Sequence, residues 1–160
     1  MKKSPALQGV KEQVLKAPAY TLRTYDAPVK INQNENPYDY PEDLKEEVCR
    51  RFRDRKWSRY PDFVPETLRA SLAERAAWKK DGVLVGNGSN ELLLAALMVL
   101  VRERSSVVLP VPTFTVYGLV SQILGARLAG VPLREEDMSY NVDDFLTRAD
   151  EVGAKVMILC

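Results

Sequence analysis

Apolar residues recur along the chain at two different spacings, and the change between them falls near residue 83. Leu44, Val48 and Phe52 stand four apart just after Pro41. That spacing predicts a helix with one buried stripe, and Pro41 suits its first position, where no N–H is needed. Pro61 and Pro65 mark the next break. From Pro65 a second helix carries Leu68, Leu72, Ala73, Ala76 and Ala77, and is expected to end near Asp81 and Gly82 with Gly82 as a left-handed cap. Residues 1–30 hold Pro5, Pro18 and Pro28 with weak periodicity, and read as an arm with one short helix at most.

From residue 83 onward short apolar runs alternate with helical periodicity. Strands are predicted over 83–85, 107–109, 128–133 and 155–159. Helices are predicted over 91–101, 113–124 and 142–152, the last two closed by Gly125 and Gly153. Strand and helix in alternation with short links define an α/β class, a mainly parallel sheet covered on both faces. The final run, Val156 to Cys160, reads as a buried strand. A parallel strand needs neighbours and a covering helix, so the chain is expected to be the first part of an incomplete, longer domain.

Composition narrows the chemistry. The hydrophobic fraction of 46% and charged fraction of 28% are those of a globular protein. A net charge of +1, from 23 basic and 22 acidic residues, gives no reason to expect a nucleic-acid or membrane partner. The basic stretch from Arg50 to Lys56 reads as a solvated helix face. The chain has no histidine, which removes the commonest metal ligand, Ser-His and Cys-His nucleophile pairs and the usual general base. Cys49 and Cys160 stand in no ligand spacing, and both are expected in core or semi-core positions. The N-terminus carries no signal-peptide pattern, and the longest apolar run, residues 92–101, is too short to span a bilayer. A soluble, cytoplasmic protein without a metal is expected.

Four segments could carry function. In Gly86-Asn87-Gly88-Ser89-Asn90-Glu91 a predicted strand enters a glycine turn that opens a helix. Free amides of the first helical turn and the positive dipole end would then meet at one point suited to a phosphate, with Ser89 able to cap the helix. A plain capped connection fits the same spacing, and neither the dinucleotide nor the P-loop glycine pattern is met. Asn32-Gln33-Asn34-Glu35-Asn36-Pro37 is rich in amides and also fits Asx-turn chemistry. Arg59-Tyr60-Pro61-Asp62 reads as an exposed loop between helices. Pro110 to Tyr117 follows the C-terminal end of a strand, the edge where open α/β sheets bind ligands. Phe114 there could lie against a planar cofactor or serve as a core aromatic.

In this order and spacing, N-E-N-P, R-Y-P-D, G-N-G-S-N-E and P-x-P-T-F-x-x-Y resemble the histidinol-phosphate aminotransferases of the fold-type-I pyridoxal-phosphate superfamily, from about Tyr20 onward. The resemblance implies pyridoxal 5'-phosphate as cofactor. Gly88, Ser89 and Asn90 would hold its phosphate and Phe114 would stack on its ring. Tyr60 would reach across a homodimer interface to the neighbouring subunit's cofactor, and Tyr20 and Asn34 would lie near substrate. The family usually has an acidic residue where Asn90 stands. It implies residues 1–40 as an arm and substrate-side segment, 41–82 as helical small-domain or interface structure, and 83–160 as the first half of the cofactor-binding domain. The family's catalytic lysine aligns with no lysine here, so no catalytic residue is assigned and the 160 residues alone are expected to be inactive.

The implied reaction of the intact protein is transamination between L-histidinol phosphate and 2-oxoglutarate, small-molecule partners of histidine biosynthesis. Alternatives are an aromatic amino-acid aminotransferase, a threonine-phosphate decarboxylase or a non-catalytic phosphate-binding remnant.

Overall fold

The computed structural model describes residues 5–17, 26 and 28–160. A 3-10 turn at Pro5–Leu7 and α1 (Glu12–Lys16) form the arm, followed by α2 (Glu42–Arg53) and α3 (Glu66–Arg75). A second 3-10 turn, Lys80–Gly82, leads to α4 (Ser89–Leu100). Then β1 (Ser106–Val111), α5 (Thr115–Ile123), β2 (Arg127–Pro132), α6 (Val142–Glu151) and β3 (Val156–Met157) alternate. The sheet is three-stranded with order β2-β1-β3, and both pairings are parallel.

The centre of the fold is β1, and its alternation shows how a parallel strand is covered. Val107 and Val108 are both fully buried. Val107 joins Leu97 and Val101 on one face, packed by Val120, Leu124 and Leu128. Val108 joins Ala129, Val131 and Phe145 on the other, packed by Ala149 and Val152. Successive side chains point to opposite faces, so α4 and α5 cover one side and α6 the other. The predicted α/β class holds. Gly125 (φ +89°) and Gly153 (φ +58°) close α5 and α6 as expected. Their N–H groups donate to Gln122 O at 2.9 Å and Asp150 O at 3.1 Å.

Several local expectations are corrected. Residues 83–85 are not a strand. Val83 is extended (φ −112°, ψ 123°), but among the described residues the segment has no ladder partner, and extended backbone becomes a strand only by pairing. The helix from Pro65 does not reach Gly82. It stops at Arg75, and Ala77 takes the left-handed position at φ 50°. Ala77 N–H donates to Glu74 O (3.1 Å) and Trp78 N–H to Ala73 O (2.8 Å), a Schellman closure made without glycine. The α2 stripe forms but is not buried: Leu44, Val48 and Phe52 are 44%, 57% and 57% exposed, because no described element lies over them. Cys49 and Cys160 are exposed rather than packed in a core.

The early end of α3 has a cause further along the chain. Arg69, with a side chain only 16% exposed, donates Nε to Val83 O (3.0 Å) and Nη2 to Lys80 O (3.1 Å), and pairs with Glu66 (2.8 Å). These bonds fold residues 80–83 back along α3. Lys80, with Arg69 adding to it, holds the Glu66 carboxyl below its usual range. A lowered carboxylate stabilises the folded form at neutral pH, and that contribution fades as acid protonates Glu66. Arg69→Met is expected to release the 80–85 segment, since hydrogen bonds from a charged donor are worth about 1.5–3 kcal/mol each. Hydrogen exchange of residues 80–85 in the intact protein checks this; unchanged rates would contradict it.

Candidate functional site

Two of the four sequence segments open helices next to β1 in the chain: the Gly86–Glu91 turn opens α4, and Phe114 caps α5. α4 enters β1 through residues 101–105, so its C-terminal end lies where β1 begins. Its 12 residues extend about 18 Å, and the Gly88 turn opens its other end. Phe114 follows the C-terminal end of β1 as the N-cap of α5. Crevices outside the carboxyl ends of parallel strands are where open α/β folds bind ligands.

The turn before α4 presents first-turn amides without acceptors. Gly88 is the N-cap, at φ 82° and ψ 168°, a backbone region essentially restricted to glycine. A Cβ placed on Gly88 would meet nothing within 4 Å, so the turn is open on that side. At Gly86 the same test brings a Cβ to 2.7 Å from Glu91 Oε2 and 2.9 Å from Leu92 Cδ2, so that glycine faces packed atoms. Among the described residues the amides of Gly88, Ser89, Asn90 and Glu91 have no acceptor. The Asn87 amide is different, since it donates to the Glu91 carboxylate folded back over the turn. Ser89 does not cap the helix as expected. It is the first helical residue, and no side-chain cap bond forms.

Phe114 is 42% exposed, so it is not a core aromatic. Among the described residues its one ring neighbour is Tyr117, at 5.5 Å and 81°. Beside it, Thr113 Oγ1 is a buried hydroxyl without a hydrogen-bond partner. The sequence motif holds Thr113 without marking it, because an unsatisfied buried hydroxyl shows only in three dimensions. The Tyr117 phenol donates to Cys160 Sγ at 3.3 Å, and that bond, with desolvation and the neighbouring thiol and Tyr140, holds it above its ordinary range.

Among the described residues no hydrogen bond or ring contact ties Asn34 or Tyr60 to Phe114 or to the Gly88 turn. Asn34 sits in a turn where Gln33 and Asn34 are both left-handed (φ 63° and 54°), next to the Lys30–Glu35 ion pair. Asn36 Oδ1 accepts Tyr38 N–H at 3.0 Å, so the Asx-turn reading of this segment holds. Tyr60 is 89% exposed and stacked at 6.2 Å on Phe63, bordering a cleft of about 650 Å³ with Phe52, Trp57 and Arg59. Among the described residues no hydrogen bond or ring contact joins it to the Gly86–Glu91 turn. Tyr20 lies outside the described residues.

A fold and a turn of this kind are shared by many proteins, and sequence comparison decides between them. The sequence profile named "Aminotransferase class I and II" matches residues 27–160. The chain belongs to that family. Among its curated relatives, histidinol-phosphate aminotransferase of Deinococcus radiodurans is 40% identical over 133 residues, 83% of this chain and 37% of the relative. Histidinol-phosphate aminotransferase of Chlorobium luteolum is 33% identical over 156 residues, 98% of this chain and 42% of the relative. The chain thus spans roughly two fifths of the length of such relatives. Thermus thermophilus aspartate aminotransferase, as a tetra mutant, shares its fold with TM-score 0.75 and 17% identity, over 95% of this chain and 41% of that one. Histidinol-phosphate aminotransferase of Sinorhizobium meliloti, solved in complex with pyridoxal-5'-phosphate, does so with TM-score 0.56 and 21% identity, over 62% and 26%. Among the described residues no helix is long and apolar enough to cross a membrane.

Proposed function

We propose that the protein carrying these residues is a pyridoxal-phosphate-dependent aminotransferase that exchanges an amino group between L-histidinol phosphate and 2-oxoglutarate. The observations that support the reading are the open glycine turn with unpartnered first-turn amides at the start of α4 and the exposed Phe114 ring just past β1. A phosphate and a flat ring need that pair of features together. The names of the curated relatives support the amino donor.

In this reading the amides of Gly88, Ser89 and Asn90 hold the phosphate, aided by the α4 dipole and the Ser89 hydroxyl. Asn90 contributes through its backbone, so the amide side chain in place of the family's acidic one is tolerated. The Glu91 carboxylate stays on Asn87, which keeps that amide out of the cup. Phe114 covers one ring face and excludes water from it. When bound, pyridoxal phosphate supplies an electron-withdrawing ring that stabilises negative charge at the substrate α-carbon. Asn34 and Tyr20 lie on the substrate side, and the outward-facing Tyr60 reaches the cofactor phosphate of a second copy in a homodimer. Residues 1–40 then serve as the arm, 41–82 as the interface helices and 83–160 as the first part of the cofactor domain, in the cytoplasm.

The test is product analysis with the intact protein and added pyridoxal phosphate. Glutamate formed from 2-oxoglutarate and L-histidinol phosphate is expected. Preference for phenylalanine would replace the donor, and carbon dioxide released from threonine phosphate would replace the reaction. Turnover of none of these with no cofactor bound would leave a non-catalytic phosphate-binding protein.

A further inference from the structure

Two tyrosine hydroxyls converge on Cys160, three residues past β3, and the proposed cofactor contacts make no use of either. The last sheet bond on that side is Ile158 N–H to Val108 O, at 2.9 Å. Beyond it, Tyr140 takes over the backbone: its Oη accepts the Cys160 N–H at 2.8 Å and donates to the Cys160 carbonyl oxygen. The Tyr140 ring is held from behind by buried Phe145, at 5.4 Å and 63°. Its own carbonyl accepts Arg134 Nη1 at 2.8 Å, and the same nitrogen donates to Ser139 Oγ at 3.0 Å. On the other side Tyr117 Oη donates to Cys160 Sγ at 3.3 Å while its ring meets Phe114. Cys160 is therefore fastened through backbone and side chain from two separate elements, the loop before α6 and the first turn of α5.

We propose that Tyr117 and Tyr140 are positioning residues that clamp the end of β3 and tie it to the orientation of the Phe114 ring. The consequence for ligand binding rests on the proposed cofactor site; the clamp itself does not. Without the Tyr140 hydroxyl, residue 160 has no partner for either backbone group among the described residues, so the strand end opens more often. Without the Tyr117 hydroxyl, the edge-on neighbour of Phe114 is no longer anchored to the sheet, and the Phe114 ring tilts more freely against whatever lies on it.

Tyr140→Phe and Tyr117→Phe remove one oxygen each and keep the ring contacts, so both variants of the intact protein are expected to fold. In the cofactor-free form of Tyr140→Phe, residue-resolved hydrogen exchange should quicken about fivefold at Cys160, the loss of one ordinary hydrogen bond, and stay unchanged at Val107 and Val108. Tyr117→Phe should weaken pyridoxal phosphate binding by about fivefold and reduce the circular dichroism induced in the bound cofactor, at unchanged far-ultraviolet spectrum. Parent-like exchange at Cys160 in Tyr140→Phe overturns the clamp. Parent-like affinity and induced dichroism in Tyr117→Phe overturn its link to Phe114. Faster exchange in a protein that binds no pyridoxal phosphate supports the clamp and removes the cofactor reading instead.

Discussion

Gly88→Ala is expected to weaken pyridoxal phosphate binding by about 5- to 150-fold, with Gly153→Ala leaving it unchanged. Gly88 sits at φ 82° and ψ 168°. A residue with a Cβ pays roughly 1–3 kcal/mol to hold such a conformation, and 1.4 kcal/mol is about a factor of ten in affinity. Nothing lies within 4 Å of the added methyl, so there is no clash inside the chain to confuse the reading. The cost is backbone strain, relieved by turning the peptide planes that aim the Ser89 and Asn90 amides. Gly153 is the matched control. It also has positive φ (+58°) and open space around it, but it closes α6 ahead of β3, at the opposite edge of the sheet from Phe114. Both variants should lose some thermal stability; only Gly88→Ala should lose the cofactor. Equilibrium dialysis of pyridoxal phosphate against the intact proteins distinguishes them. Equal affinities for Gly88→Ala and parent would mean that the phosphate does not sit on this turn.

The α/β half of the chain was legible because its signals are local and agree with one another. Val107 and Val108 lie in an apolar run, and a run that is apolar at every position is what a strand covered on both faces requires. Gly125 and Gly153 sit where helices must turn left-handed. What was not legible depends on distant partners. Residues 83–85 have strand composition, but a strand is a relation between segments, and the sequence does not say whether a neighbour is present. The stripe of Leu44, Val48 and Phe52 has helical spacing, and spacing marks the face that could be covered rather than one that is. Arg69 reaches across α3 to Lys80 and Val83, a tertiary bond that ends the helix at Arg75 against its composition. At the candidate site the glycine turn and Phe114 could be read as motifs. The back-folded Glu91, the unpartnered Thr113 hydroxyl and the Tyr140 contacts could not, since each rests on side-chain geometry.

By itself the 160-residue chain is expected to show no sharp, cooperative thermal transition and to aggregate at micromolar concentration. Its accessible surface is 14053 Å², where a compact monomer of 18.1 kDa would expose about 8,100 Å². Much of the excess is apolar. Met98, Val99 and Leu100 form an uncovered patch at the end of α4, and Ile31, Trp57, Phe63 and Leu84 stand largely in solvent. Patches of this kind on a soluble chain act as association sites. Both outer strands add to the effect: among the described residues β2 and β3 pair only with β1, so each presents an edge to other copies. Among the described residues the buried side chains centre on two small clusters, one on each face of β1. Such a core offers little apolar burial to offset the chain entropy of the arm and of α1 to α3. Calorimetry of the isolated chain should therefore give a broad or absent peak, and a dye that binds exposed apolar surface should fluoresce without heating. A single sharp transition with low dye binding would sink this expectation, because it would mean that the apolar faces of α2, α3 and α4 find cover within the 160 residues.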